Sequence, residues 1–230
     1  MTVKVGFVTI GQSPREDVVP EIMALLGPEY ECLEKGAMDG LNGEEIKNLK
    51  PDEGDFRLIT KLRDGRSAEV GRKKIIRLLR KKIDELASQD VRLIALLCTD
   101  EFPSIGHERG DDKIVLQPSL LLRRAAVGRL KKGKLGVFVP LPEQKEETKR
   151  KWKRTGWRVV VEAINPYQEA GEGEKAFQRM RNEKVDLIVL DCIGYSKETK
   201  DKLQCILDKP VLWPRAILAK AIIQPELFMK

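Results

Sequence analysis

Long apolar runs are missing from this chain of 230 residues. None approaches the roughly 18 residues that a membrane helix needs, which excludes a spanning segment. Histidine occurs once, at His107, and the four cysteines stand far apart at positions 32, 98, 192 and 205. They are too sparse for a disulfide framework and lack the spacing of a zinc site. No metal is expected. No G-x-G-x-x-G follows the first strand-like segment and no Walker A pattern occurs, so no nucleotide cofactor is expected either. Aromatics make up only 5% of the chain. Few fall within the basic runs Arg72–Lys82, Lys131–Lys134 and Lys149–Arg154, where base stacking would require them. The opening Met1-Thr2-Val3-Lys4-Val5-Gly6 lacks the apolar centre of a secretory signal. A reducing cytoplasm is the expected setting, with neither membrane nor nucleic acid as partner.

Charged residues are abundant, at 34%, with a modest net charge of +7. Within Arg72–Ala87 the apolar residues Ile75, Leu79, Ile83 and Leu86 recur at helical spacing, so the basic residues occupy a solvated face. The run Lys149–Arg154 reads the same way, as part of a charged helix. Short β-branched runs alternate with longer amphipathic stretches. Strands are expected at Lys4–Ile10, Glu29–Glu34, Val91–Leu97, Lys113–Leu116, Lys134–Val139, Arg158–Ile164, Val185–Leu190 and Val211–Trp213. This alternation predicts α/β architecture with parallel sheets. Ser13 reads as the N-cap of a first helix that opens at Pro14 and stops at Gly27-Pro28.

The two halves of the chain resemble each other. Lys4-Val5-Gly6-Phe7-Val8 is echoed by Lys134-Leu135-Gly136-Val137-Phe138. The run from Val91 to Cys98 is echoed by that from Val185 to Cys192. Asp112-Lys113-Ile114-Val115-Leu116-Gln117-Pro118 is echoed by Asp208-Lys209-Pro210-Val211-Leu212-Trp213-Pro214. The offsets are 130, 94 and 96 residues, so the first half carries an insertion near residues 36–71. Asp64-Gly65 there reads as a hairpin turn between Phe56–Leu62 and Ser67–Val70, placed to cover a cleft mouth. The repeat predicts two pseudo-symmetric Rossmann-like domains facing each other across a cleft.

Open parallel sheets bind ligands at the carboxyl ends of their strands. Each half would then bring a cysteine to the cleft, Cys98 from one wall and Cys192 from the other. A cysteine between a strand and a helix is expected to gain acidity from backbone N–H groups and the helix dipole. A thiolate and a thiol on opposite faces of one carbon form an acid–base pair. Gly11, Gln12, Ser13, Thr99, Ser119 and Gly194 lie in the strand-end loops that would supply donors to a carboxylate, and Tyr195 and Arg215 would orient it. A buried-core role is the alternative for each cysteine. Cys32 reads as strand core and Cys205 as helix packing. His107, beside Gly106, could pair with Cys98 as a base. Asp111-Asp112 and Gly171-Glu172-Gly173 read as exposed loops.

Thr9-Ile10-Gly11, Gly71-Arg72-Lys73-Lys74, Leu116-Gln117-Pro118-Ser119, Gly136-Val137-Phe138-Val139-Pro140 and Leu190-Asp191-Cys192-Ile193-Gly194-Tyr195 resemble the AroM family, in order and over almost the whole chain. The two-cysteine plan also resembles the wider aspartate/glutamate racemase superfamily, which includes hydantoin racemases, maleate isomerase and arylmalonate decarboxylase. That resemblance implies a first domain of residues 1–100 plus 208–230 and a second of 101–207. The C-terminal helix would pack back on the first. It implies a cofactor-independent racemase, isomerase or decarboxylase acting on a small carboxylate, with Cys192 the principal thiol and Cys98 its partner. A homodimer is compatible with it. The different-class alternative is a non-catalytic small-carboxylate-binding or sensor protein linked to aromatic amino-acid metabolism. Cys98-Thr99-Asp100 and Asp191-Cys192-Ile193 depart from the polar contexts of the amino-acid racemases, which weakens an amino-acid substrate more than the fold.

Overall fold

The computed structural model describes residues 2–105, 113–167 and 173–227. His107, Asp111, Asp112, Gly171 and Glu172 lie outside the described residues. Two four-stranded parallel sheets form the frame. The first contains β1 (Val3–Thr9), β2 (Tyr30–Gly36), β5 (Leu93–Leu97) and β6 (Ile114–Leu116), in the order β2-β1-β5-β6. The second contains β7 (Lys134–Val139), β8 (Arg158–Ala163), β9 (Leu187–Leu190) and β10 (Val211–Leu212), in the order β8-β7-β9-β10. The two orders are the same when the halves are superposed in sequence, as the repeat requires. A separate antiparallel hairpin, β3 (Arg57–Lys61) and β4 (Ser67–Gly71), arises from the insertion and turns at Gly65, whose φ of 82° suits glycine.

Both faces of each sheet are covered, which explains their near-continuous apolar strands. On the first sheet, Val8, Ile94 and Leu96 pack against α3 (Arg72–Ala87) through the expected Ile75, Leu79, Ile83 and Leu86. Asp55, from the insertion, accepts the Lys73 N–H and so serves the uncapped start of this helix. The opposite face, with Val5, Phe7, Ala95 and Leu97, is covered by α1 (Val19–Leu26) and α8 (Pro214–Ile223). The second sheet packs α4 (Pro118–Arg129) and α5 (Lys145–Lys153) on one face, through Leu122, Ala126 and Trp152. Its other face carries α6 (Gly173–Asn182) and α7 (Lys197–Leu207). The remaining helix, α2 (Gly43–Asn48), lies in the insertion under an Asn42/Glu45 capping box.

The halves therefore exchange helices. α4 follows the last strand of the first sheet but buries Leu122 and Ala126 in the core of the second. α8 follows the last strand of the second sheet but buries Leu218, Ala221 and Ile222 in the core of the first. The strand order differs from the boundaries read from sequence. β6 lies beyond residue 100 yet belongs to the first sheet, and β10 lies beyond residue 207 yet belongs to the second. Each chain crossing occurs at the helix-opening prolines, Pro118 and Pro214, and not before the preceding strand.

Two local expectations are corrected. The first helix starts at Val19, not Pro14. Ser13 caps no helix, because its N–H and hydroxyl both donate to Asp39, at 2.9 and 2.6 Å. Arg15, next in line, is drawn into the interior, where it is 2% exposed. Cys205 is exposed on α7, so it does not pack a helix interface, while Cys32 in β2 packs at the edge of the first core.

The exchange couples the two cores. One cooperative urea transition is expected for the whole chain. Leu218→Ala should lower its free energy by about 2–5 kcal/mol, the usual range for a buried leucine. Two separated transitions, with only one moved by the substitution, would contradict this packing.

Candidate active site

The carboxyl ends of β1, β5, β7 and β9 converge on a cleft of about 270 Å³. Cys98 and Thr99 follow β5, and Asp191 and Cys192 follow β9; all four line it. The hairpin forms one side through Leu58, Ile59 and Thr60, with Phe56 just before it. Tyr167 closes the side next to Cys192. The insertion thus supplies part of the wall itself.

The Cys192 loop is held from three directions. The Gly194 N–H points at Cys192 Sγ, 3.4 Å away. Arg215 donates from Nε to Ile193 O at 2.8 Å and from Nη2 to Gly194 O at 2.9 Å, while its Nη1 meets Glu21 at 2.6 Å. Tyr195 donates its hydroxyl proton to Ile164 O at 2.8 Å, fixing the loop to the end of β8. Residue 194 must be glycine for space, since a Cβ there would lie 2.6 Å from the Tyr167 hydroxyl. That hydroxyl accepts from Arg15 Nη2 at 3.2 Å. Arg15 is also bound by Thr9 and by both carboxylate oxygens of Asp17.

Of the residues picked from the sequence, Cys98, Cys192 and Thr99 line the cleft; Gly11, Gln12, Ser13, Ser119, Gly194, Tyr195 and Arg215 are not among its lining residues. Each of those seven has a visible local environment. Gly11 sits where a Cβ would strike the hairpin backbone at Lys61 O. Gln12 accepts the Arg63 N–H at 2.9 Å, and Ser13 is bound to Asp39 as above. The inserted hairpin therefore covers the loop that an anion would otherwise approach. Ser119 is buried at the start of α4 with its hydroxyl unpartnered. Gly194, Tyr195 and Arg215 build the loop that carries Cys192.

The expected acidification of the thiols is reversed. Burial pushes the Cys192 thiol up to about 11, against the opposing pull of the Gly194 N–H, Arg15 and Arg215. Burial pushes Cys98 up further, reinforced by the charge of Asp100. The helix dipole is too far away to help. After Cys192 the next helix begins at Lys197, and after Cys98 the next described helix begins at Pro118. Desolvation, which favours the neutral form of a thiol, outweighs a single N–H contact.

Several cleft residues had no signal in the strand-end pattern. The run Lys149–Arg154, read as solvated, brings Arg150, Lys151 and Arg154 to the cleft from α5 and the turn after it. Its helical period is plain in sequence, but only the packing of Trp152 into the second core fixes which face looks inward. Arg72, the first residue of α3, stacks over Phe56 at 4.2 Å and reaches Glu147 at 2.6 Å. It also lies 2.5 Å from Asp100 as an ion pair, off the line a hydrogen bond requires. Among the described residues no group of three or more His, Cys, Asp or Glu side chains could hold a metal ion. No helix among them is long and apolar enough to cross a membrane.

The chain matches the AroM protein family over residues 5–226. It belongs to the AroM family. No curated protein matches it by sequence. Solved structures of low sequence identity share the fold of this chain. A liganded double mutant of arylmalonate decarboxylase is 12% identical with a TM-score of 0.63, covering 96% of this chain and 92% of its own. Maleate isomerase from Pseudomonas putida is 14% identical with a TM-score of 0.63, covering 99% and 94%. Glutamate racemase from Aquifex pyrophilus is 17% identical with a TM-score of 0.59, covering 99% and 84%. These likenesses establish a racemase-like pair of α/β domains for this AroM protein, the fold expected from the internal repeat.

Asp100 gives the site a measurable pH signature. Burial raises its carboxyl to about 6, with Arg72 and Lys151 pulling the other way. An unfolded aspartate titrates near about 4. The folded state holds this proton more tightly, so the associated stability is full below about pH 4 and is lost as pH rises through about 6. Asp100→Asn removes this dependence. Between about pH 4 and 7 the wild type should lose on the order of 1–3 kcal/mol relative to the variant in urea unfolding. A pH-independent difference would contradict the burial of a titrating carboxyl here.

Proposed function

We propose that this protein binds a small carboxylate in the cleft and transfers a proton at the carbon beside the carboxyl group. The observation that carries this reading is that Cys98 and Cys192, equivalent in the repeat, line one cavity. Leu97, Val139 and Ile193 offer apolar surface for the carbon skeleton. Arg150 is exposed at the cleft without an ion-pair partner among the described residues, and it would anchor the carboxylate together with Thr99.

Cys192 is assigned as the principal thiol because its sulfur has an N–H donor and two guanidinium groups acting in favour of its anion. Its thiolate would take the proton from the substrate carbon and become a thiol. The electron pair left behind would delocalise into the carboxylate as an enolate. Cys98, kept protonated by burial and by Asp100, would give its proton to the opposite face and become the thiolate. Return of a proton to either face completes racemisation or isomerisation. In a decarboxylation, cleavage of the carbon–carboxyl bond would leave the electron pair on carbon, for one thiol to protonate. With Cys192 at about 11, ionising it at pH 7 costs on the order of 5 kcal/mol in the empty cleft, so turnover rises with pH through the neutral range. No cofactor takes part in this scheme.

The carboxylate-binding alternative draws support from the same burial, which keeps both thiols neutral. A solvent-deuterium exchange screen on small carboxylates separates the two. The proton-transfer reading expects deuterium incorporation next to the carboxyl group, reduced by at least about 100-fold in Cys192→Ser while the protein stays folded. Full exchange by Cys192→Ser would refute it. Ligand-dependent thermal stabilisation without exchange, unchanged when both thiols are replaced, would establish binding alone.

A further inference from the structure

The repeat equates Thr99 with Ile193 and Asp100 with Gly194, each pair 94 residues apart like the cysteines. In the second half, the carbonyl after the cysteine, Ile193 O, is held by Arg215 Nε at 2.8 Å. By the repeat of the following helices, which open at Pro118 and Pro214, the position of Arg215 is taken in the first half by Ser119. Ser119 is 2% exposed, and its hydroxyl has no partner. Its side chain is too short to repeat what Arg215 does. The carbonyl after Cys98 is held from elsewhere. Lys151 Nζ, on α5, donates to Thr99 O at 3.0 Å.

The same ammonium group meets Asp191 Oδ2 at 2.9 Å and Oδ1 at 3.1 Å. Asp191 immediately precedes Cys192, and its Oδ2 also accepts Trp152 Nε1 at 2.8 Å. The Lys151 side chain is 13% exposed and that of Asp191 4%. An ammonium group has three protons, and here it faces three acceptors. Lys151 thus contacts the residue after one cysteine and the residue before the other, with no donor left for a ligand.

We propose that Lys151 is a positioning residue that ties the two cysteine loops together across the cleft. This rests on the reading of Cys98 and Cys192 as the reacting pair. Asp191 is the other half of the tie, and Trp152 orients it. Charged hydrogen bonds in a buried setting are the strong ones, so losing them loosens both loops at once.

The test reads thiols and needs no substrate. The rates at which iodoacetamide alkylates all four cysteines of the native protein are measured by peptide mass spectrometry across a pH series. Lys151→Met leaves the Asp191 carboxylate buried without its cation, so the double variant Lys151→Met/Asp191→Asn is included to remove both charges together. In both variants the rates at Cys98 and Cys192 should change together by at least about tenfold, with their pH profiles displaced. Cys32 and Cys205, which line no part of the cleft, should keep their wild-type rates and act as internal references. Trp152→Phe should alter Cys192 while leaving Cys98 within about threefold, because Lys151 still holds Thr99. A change at Cys192 alone in the Lys151 variants would overturn the tie, as would equal changes at all four cysteines. A failed tie leaves the exchange chemistry to stand on its own screen. An absence of exchange chemistry would leave these rates unaffected.

Discussion

Parallel strands end together, and this constraint organises the molecule. Each sheet has one carboxyl edge, and each edge delivers the residue that follows its central strands. Because α4 and α8 are exchanged between the sheets, neither edge can turn away from the other without uncovering a core. The cysteine loops are therefore held opposite each other by apolar burial remote from the cleft. The polar contacts in the cleft then adjust the loops within a frame that is already fixed.

Burial has a second consequence at the sulfurs. The burial that surrounds the two sulfurs also opposes the charge that thiol chemistry requires. The two halves answer this unequally. Gly194 leaves room for Tyr167 and gives its N–H to Cys192. Asp100, at the equivalent position, places a negative charge beside Cys98. Pseudo-symmetry of the backbone thus carries an asymmetric pair of thiols, Cys192 nearer to ionisation and Cys98 held more firmly neutral.

Much of the frame was legible in sequence because burial on both faces leaves an unmistakable trace. The apolar runs ending at Cys98 and Cys192 are strands, and Ile75, Leu79, Ile83 and Leu86 mark the buried face of α3. The hairpin was announced by Asp64-Gly65. The sheet membership of β6 and β10 was not, because a strand of two or three residues carries no sign of which sheet it joins. Ser13-Pro14 is an ordinary helix-opening pair, and only the distant Asp39 diverts it. The cleft itself was half legible. Strand ends named Cys98, Thr99 and Cys192, but a basic run such as Lys149–Arg154 looks alike whether it faces water or a cleft. Trp152 decides the matter, and its partner Asp191 lies 39 residues away.

The central claim is that the two thiols share one cavity. A short bifunctional thiol reagent such as dibromobimane tests it most directly, since both arms must find sulfur within a span of a few ångströms. Peptide mapping of the native protein should recover a single bridged pair, Cys98 with Cys192, and Cys98→Ser should leave Cys192 with a one-armed adduct. Bridging that involves Cys32 or Cys205, or only one-armed adducts at both Cys98 and Cys192, would contradict the account.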